Sequence, residues 1–556
     1  MTAFPSEFAS RYRAKGYWRD RPLIERYEES FQAYAELTAL VDDHESVTYA
    51  ELAQRAQRLA RVLADQGIRP RDRVVMQLPN TIAFACLYLA LQHIGVIPIM
   101  ALPSHRYREV EQFVRLSGAV ALASPVTAKD ADFRDIFTRV AAQTPSLRLH
   151  ITLGEPTETA QAASASAPQA DLSTGQMRLE DLLCAEPKQS VEDLAALRAQ
   201  IDPEDPAVFQ LSGGTTGIPK LIPRSHNDYA YNSELAASVV DIRPGDVLLD
   251  VLPLAHNLPL ACPGLQGFLF NGATVALGTS TRTEGLFQRI ERDKITHIHV
   301  VPALLIKMIN DEQADQYDLS TVRVIQSGGQ RLQPETRVRA EKVFGQAIVQ
   351  ENFGMAEGLL MFVRLDDPAE VRLETVGRPV CDDDEVRIVD EDGNDVPDGT
   401  VGELWTRGPY TLRGYYNAPE HNQRAFSPDG FYMSGDLMWK HPTGNYVVAG
   451  RKKDLINRGG EKISAEEVEN LILTHPAVLN VACVPVNDAV LGERMCACVV
   501  LRPNTTLTLP ELVAHLTGFE LARHKLPESL KVYASFPLSP VGKVSKKDLV
   551  ADLLKR

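Results

Sequence analysis

The chain has 556 residues, 44% of them hydrophobic, with seven cysteines and a formal net charge of −15 at pH 7. That length asks for two or more globular domains, and the acidic balance argues against a dedicated nucleic-acid binder, which would carry a basic face. An odd number of cysteines spread over such a length is no disulfide framework, so a reducing, cytoplasmic setting is expected.

Residues 1–18 carry no apolar run ahead of their charges, unlike a signal peptide. Thr48-Tyr49-Ala50-Glu51 is a capping-box pattern. Leu52, Leu59, Val62 and Leu63 form the apolar stripe of the helix it opens, and Gly67 stops it. Residues 74–78 read as a strand, 84–94 as a helix and 96–100 as a second strand. The apolar stretch 84–102 is broken by Gln92, His93, Gly95 and Pro98, so no membrane span is expected. Such alternation predicts an α/β fold of parallel sheets covered by helices. Residues 155–175, rich in Ala, Ser, Thr, Pro and Gln, read as a mobile surface excursion, and the alternation resumes from Val208 past Val324.

The texture changes near residue 385. Residues 385–390 alternate polar and apolar, Asp392-Gly393 offers a turn, and 402–405 read as a returning strand. This is antiparallel structure, a small barrel or sheet closing the large domain. After Gly450-Arg451-Lys452-Lys453-Asp454 another α/β pattern begins. There Ser464-Ala465-Glu466-Glu467 caps a helix striped by Val468, Leu471 and Ile472. The expected organisation is a large N-terminal domain over 1–449, including a β-barrel-like subdomain, and a smaller, mobile α+β domain over 450–556. Cys496-x-Cys498 could suggest a metal, but residues 495–500 read better as a buried strand.

The run Leu211-Ser212-Gly213-Gly214-Thr215-Thr216-Gly217-Ile218-Pro219-Lys220 has the ingredients of a phosphate-wrapping loop. Glycine lets the backbone approach an anion, hydroxyls and amides donate to phosphate oxygens, and lysine supplies charge. Proline directly before the lysine departs from the Walker pattern and turns attention from ATP hydrolysis to another use of ATP.

Further segments have compositions that a packed core does not require. They are Glu351-Asn352-Phe353-Gly354-Met355-Ala356-Glu357-Gly358, Tyr432-Met433-Ser434-Gly435-Asp436, Gly450-Arg451, Asn457-Arg458-Gly459-Gly460-Glu461-Lys462 and Pro540-Val541-Gly542-Lys543-Val544. Singly each has a plainer reading, since Gly-Asp is a common turn and Gly-Lys a common exposed loop. In this order behind the phosphate loop they closely resemble the motif series of the adenylate-forming superfamily: acyl-CoA synthetases, luciferases and peptide-synthetase adenylation domains. The resemblance covers essentially the whole chain. It is strongest to the stand-alone aryl-acid–AMP ligases that start siderophore assembly, through Leu221-Ile222-Pro223-Arg224-Ser225-His226, Ala255-His256-Asn257, the 353–358 string and Ile456 to Lys462.

The resemblance implies ATP and Mg2+ as cofactors and two half-reactions at one site. An aryl carboxylate attacks the α-phosphorus of ATP, and a phosphopantetheine thiol of an aryl carrier protein then takes the acyl group. The first step joins two anions, so the site must neutralise charge and align attacker and leaving group. By the same resemblance, Ser212, Gly213, Gly214, Thr215, Thr216 and Lys220 form the phosphate loop. Gly328, Gly329, Asn352, Phe353, Gly354, Met355, Ala356 and Lys462 complete the nucleotide site. Glu357 holds magnesium, a hard carboxylate for a hard cation. Asp436 accepts the ribose hydroxyls, and Arg451 stands beside ribose and phosphate. Lys543 is the adenylation lysine, acting with Thr216 and Glu357. Lys453 is the hinge about which the small lobe turns. His226 either contacts nucleotide or caps the following helix.

His256 and Asn257 open the segment that lines the acyl pocket in relatives. Amino-acid-activating domains resemble one another in an aspartate near here, where Asn257 matches the aryl-acid ligases, although it could also be a loop-capping residue. An amide can bond an ortho hydroxyl, whereas a carboxylate would repel an aryl acid. Catechol-acid ligases carry serine and valine where this chain has Cys262 and Leu360. A thiol is a poor partner for a 3-hydroxyl, and leucine fills its space. Salicylate is the expected acid, with 2,3-dihydroxybenzoate or an aryl-CoA ligase as the alternatives. Cys262 is not expected to be a nucleophile.

Overall fold

A computed structural model of the chain describes residues 2–128, 131–154, 175–212, 219–329, 332, 334–345, 347–458, 461–488, 490–519, 521–539 and 542–555. The expected surface excursion at 155–175 therefore lies outside the described residues except for Gly175, which opens the strand Gly175–Arg178.

Two large sheets carry the N-terminal part. A nine-stranded sheet runs in the order Arg378–Pro379, Gly358–Phe362, Ile348–Met355, Val324–Gly328, His297–Val300, Val247–Asp250, Thr274–Leu277, Thr38–Val41, Ser46–Thr48. Its centre is parallel and its ends are antiparallel. A seven-stranded sheet is parallel except for the hairpin Pro206–Leu211/Leu221–Ser225 at one edge. The largest apolar cluster includes Leu59 and Leu63, Phe84 and Tyr88, Leu265 and Phe268, and Val275 and Leu277. Burying each such side chain stabilises the fold by about 1.5–3 kcal/mol.

Local chemistry explains the elements. Thr48 Oγ1 accepts from the Glu51 amide and Glu51 Oε2 from the Thr48 amide, at 3.2 and 2.8 Å, opening the helix Tyr49–Asp65. The expected strand at 74–78 is Arg73–Met76, and that at 96–100 is Ile97–Met100. Helix Ile82–Ile94 is buried along almost its whole length, so its all-round apolar character belongs to a core helix. Among the described residues no helix is long and apolar enough to cross a membrane.

Residues 385–451 form a four-stranded antiparallel sheet with strands in chain order, Glu385–Val389, Gly402–Arg407, Tyr432–Lys440 and Tyr446–Arg451. Its first and last strands do not pair among the described residues, so it is an open sheet where a barrel was expected. Leu404, Met438 and Tyr446 cover its inner face by packing on Leu359 and Met361 of the large sheet, which removes the need for closure.

Beyond it, a single 3-10 turn at Lys452–Asp454 leads into the last sheet. Helix Ala465–Leu473, capped by Ser464, packs Val468 and Ile472 on one face with Val481, Cys483 and Met495. Helix Lys546–Leu553 covers the other face, with Leu549 against Cys496 and Cys498. The Cys-x-Cys segment is thus the middle of the buried strand Gly492–Leu501.

Candidate active site

The hairpin at the edge of the seven-stranded sheet presents the Gly/Thr-rich loop. Its mouth is closed by two bonds, Ser212 N–H to Lys220 O at 3.0 Å and Lys220 N–H to Ser212 Oγ at 2.9 Å. Gly213, Gly214, Thr215 and Thr216 lie outside the described residues, as does the side chain of Lys462. Lys220 points along the ring of Tyr415, with Nζ 6.0 Å from its centroid.

Glu357 follows the strand Ile348–Met355 and is held twice: its carbonyl accepts from the Leu412 amide at 2.7 Å and its Oε1 from the Tyr415 hydroxyl at 2.8 Å. Burial raises its pKa, with Tyr415 pulling the other way. Asp436 and Arg451 are register partners on adjacent antiparallel strands, and Arg451 Nε lies 2.7 Å from Asp436 Oδ1. Burial lifts the Asp436 carboxyl despite Arg451, Lys453 and Lys543 nearby. Lys453 is pushed down by burial and by Arg451.

Lys543 comes from the opposite end of the chain. A tight turn supports it: Gly542 N–H donates to Ser539 O at 2.9 Å and Lys543 N–H to Ser539 Oγ at 3.1 Å. Its side chain crosses to the large sheet, where a Cβ on Gly329 would stand 2.6 Å from Lys543 Cε and 3.2 Å from Nζ. Gly329 has φ +89°, a left-handed conformation that favours glycine. Burial and then Arg451 push the Lys543 ammonium down to about 8. His256 is pushed down to about 3 by burial and then by Lys543, so its ring is neutral. Gly328 and Asn352 are register partners beside this point, and Phe353 to Ala356 lead from it to Glu357. Glu357, Asp436, Arg451, Lys453, Lys543 and His256 are therefore drawn into one place from segments hundreds of residues apart.

The residues expected to line an acyl pocket form a hydrogen-bonded wall. His256 caps the short helix Asn257–Ala261. Asn257 Oδ1 accepts from the Tyr229 hydroxyl at 2.9 Å, and Asn257 Nδ2 donates to Cys262 Sγ at 3.2 Å. An amide oxygen has a second lone pair and an amide nitrogen a second hydrogen, so each end keeps one position for a ligand. Burial pushes the Cys262 thiol up to about 11, which keeps it protonated. Leu360 pairs with Gly354, where a Cβ would stand 2.8 Å from Leu360 Cδ2, and belongs to the same apolar cluster as Cys262.

Sequence reasoning missed what stands behind this wall. Asn232 Nδ2 donates to Ala261 O at 2.9 Å and reaches Cys262 Sγ at 3.5 Å. Arg224, fully buried, donates to Asn232 Oδ1 at 3.2 Å and to Asp228 Oδ1 at 2.8 Å. Gln210 supports Tyr229 from the adjacent strand, its Nε2 3.0 Å from the hydroxyl. A signal was present: Ser225-x-x-Asp228 is a capping pattern that turns Arg224, Asp228 and Asn232 to one side of the strand–helix junction. His226 fulfils neither expected role. Ser225 caps the helix His226–Ser238, and the His226 ring accepts the Leu23 amide at 3.1 Å.

Comparison with known proteins adds to this geometry. The family model "AMP-binding enzyme" matches residues 27–416, and "AMP-binding enzyme C-terminal domain" matches 467–543. The chain is 44% identical to a salicylyl-CoA synthase / salicylate adenylyltransferase of a Streptomyces species, over 98% of this chain and 96% of that one. It is 40% identical to the salicyl-AMP ligase / salicyl-S-ArCP synthetase of Mycobacterium tuberculosis (99% and 94% covered). Identity is also 40% to the 2,3-dihydroxybenzoate-AMP ligase of Bacillus subtilis (99% and 97% covered). With one family model matching most of its length and such relatives matching nearly all of it, the chain belongs to the AMP-binding enzyme family, the adenylate-forming enzymes that use ATP as a substrate.

Proposed function

We propose that the protein activates an aryl carboxylic acid, salicylate first, as aryl-AMP with release of pyrophosphate. It then passes the acyl group to the phosphopantetheine thiol of an aryl carrier protein in siderophore assembly. The observation that carries this reading is the uncharged acyl wall of Asn257, Cys262 and Tyr229 beside the cationic Lys543. An amino-acid substrate would want a carboxylate there. Behind the wall, the buried Arg224 is paired with Asp228.

In this reading Lys543 and Arg451 offset the charge that builds as carboxylate meets the α-phosphate, and Asp436 accepts the ribose hydroxyls. Lys220 and the 212–216 loop hold the β,γ-phosphates. Glu357 fits a single hard oxygen ligand for Mg2+: Tyr415 orients its carboxyl, and nucleotide phosphates would supply further oxygens. Such an ion would neutralise phosphate charge. We place the domain boundary at about 450, with Lys453, in the one-turn connection Lys452–Asp454, as the hinge that withdraws Lys543 for the second half-reaction.

Within the aryl acids, Cys262 and Leu360 favour salicylate over 2,3-dihydroxybenzoate, because neither offers a partner or space to a 3-hydroxyl. ATP–pyrophosphate exchange over a panel of benzoates tests the proposal. Exchange strongest with salicylate is expected, and no exchange with any acid would sink it. Equal transfer to free coenzyme A and to a carrier protein would favour a CoA ligase.

A further inference from the structure

Four polar side chains cross the inner face of the nine-stranded sheet in one row. Asp250, His299, Gln326 and Gln350 are register partners on adjacent parallel strands, and each is 0% exposed. Their donors run one way. Gln350 Nε2 donates to the carbonyls of Val239 at 2.7 Å and Val363 at 3.0 Å, which turns its Oε1 towards Gln326. Gln326 Nε2 donates to that oxygen at 3.4 Å, which turns Gln326 Oε1 to His299 Nε2. An amide oxygen only accepts, so Nε2 of His299 carries the hydrogen.

The far end of the row is open. His299 Nδ1 faces Asp250 Oδ2 at 3.9 Å, and neither Nδ1 nor either Asp250 oxygen has a hydrogen-bond partner among the described residues. The Leu252 amide is the other polar group acting on this carboxyl, and it falls outside hydrogen-bond geometry. Phe268, edge-on to His299, closes the apolar side. A carboxylate paired with imidazolium would need donors for its remaining lone pairs, and this site has none in bonding range. A carboxylic acid beside a neutral imidazole needs none. Such an acid stands at the open end of the row, its oxygen 3.9 Å from His299 Nδ1 and outside hydrogen-bond range.

The row lies immediately beneath the candidate site. Two residues further along the same strand faces are Gly328 and Asn352. Asp250 ends its strand, and the next six residues lead to His256. Asn80 clamps that segment, with Nδ2 donating to Leu252 O at 2.7 Å and Oδ1 accepting the Leu254 amide at 2.9 Å.

We propose that Asp250 is a neutral carboxylic acid at the end of this row, facing the Nδ1 lone pair of His299 across 3.9 Å. We further propose that it is a positioning residue for the segment carrying His256 and Asn257. The positioning role rests on the aryl-acid reading; the protonation state does not.

Infrared difference spectroscopy of the full-length protein against Asp250→Asn at pH 7 reads the proton directly. A protonated-carboxyl band lost in the variant is expected, and its absence overturns the protonation. In ATP–pyrophosphate exchange, Asp250→Ala and His299→Ala should each raise the KM for salicylate roughly tenfold, with the KM for ATP within about threefold. Asp250→Asn, which supplies an N–H in place of the O–H, should recover most of the loss. The double alanine variant should be no worse than either single, as members of one unit behave. Asp250→Asn as impaired as Asp250→Ala, or both KM values rising together, overturns the positioning role. Should the alanine variants fail to fold, the infrared band and the salicylate KM of Asp250→Asn decide: a KM raised tenfold there overturns the role. An unmodified enzyme silent with every acid defeats the aryl-acid reading and the positioning role, while the band still decides the protonation.

Discussion

Arg224 Nη1 donates to the Ala356 carbonyl at 3.1 Å, so one fully buried guanidinium ties the acyl wall to the segment that ends in Glu357. Its other nitrogens are spent on Asp228 and Asn232, and its Cζ lies 4.9 Å from the Tyr229 ring centroid. A displacement of either side of the site is thereby felt by the other.

Arg224→Lys keeps the charge beside Asp228 and loses the planar fork that reaches three partners. We expect the KM for the aryl acid to rise by roughly tenfold with little change in Tm. Arg224→Met instead strands Asp228 as a buried, unpaired charge and should cost about 3–5 kcal/mol of stability. Thermal melts beside exchange kinetics separate the two. A lysine variant with an unchanged KM and a lowered Tm would make Arg224 purely structural.

Lys543→Ala should reduce pyrophosphate exchange by about a hundredfold or more, while thiolation of supplied aryl-AMP stays largely intact. Lys453→Pro should give the complementary phenotype, because a fixed φ restricts rotation at the turn. Equal loss of both half-reactions in Lys543→Ala would mean that the lysine serves both arrangements or the fold.

The pH dependence follows from burial of the same lysine. With its pKa lowered to about 8, the ammonium is mostly present at pH 7 and is lost as pH rises through 8. If the charge is needed for adenylation, kcat/KM for exchange falls about tenfold per pH unit above that point. Lys543→Arg, which stays charged, should lose this alkaline limb. A flat profile between about pH 7 and 10 in the unmodified enzyme would remove the charge requirement.

The proposed acid selectivity rests on two side chains, Cys262 and Leu360. The unmodified enzyme should prefer salicylate over 2,3-dihydroxybenzoate in kcat/KM. Cys262→Ser with Leu360→Val should shift that ratio towards the catechol acid by about 1–3 kcal/mol, roughly ten- to a hundredfold. Asn257→Ala should weaken both acids and leave the KM for ATP nearly unchanged. Benzoate turned over as well as salicylate would remove Asn257 from its proposed role.

Local chemistry written in single segments was legible without coordinates. The Thr48–Glu51 cap, the core helix read at 84–94 and the helix cap at Ser464 are each set by a short string, because turns and caps are decided by adjacent residues. Their order along the chain also carried the family. Tertiary structure alone decided which distant groups share a bond. The partners of Arg224 emerge only when Asp228, Asn232 and Ala356 close around it, and His226 reads equally as a nucleotide contact or a helix cap until the Leu23 amide bonds its ring. Likewise, Asp250, His299, Gln326 and Gln350 are four unremarked polar residues in apolar strands, separated by up to a hundred positions. Only parallel pairing in register aligns them, and only the Val239 and Val363 carbonyls that accept from Gln350 give the row its direction, since both depend on strand order and packing that no local pattern encodes.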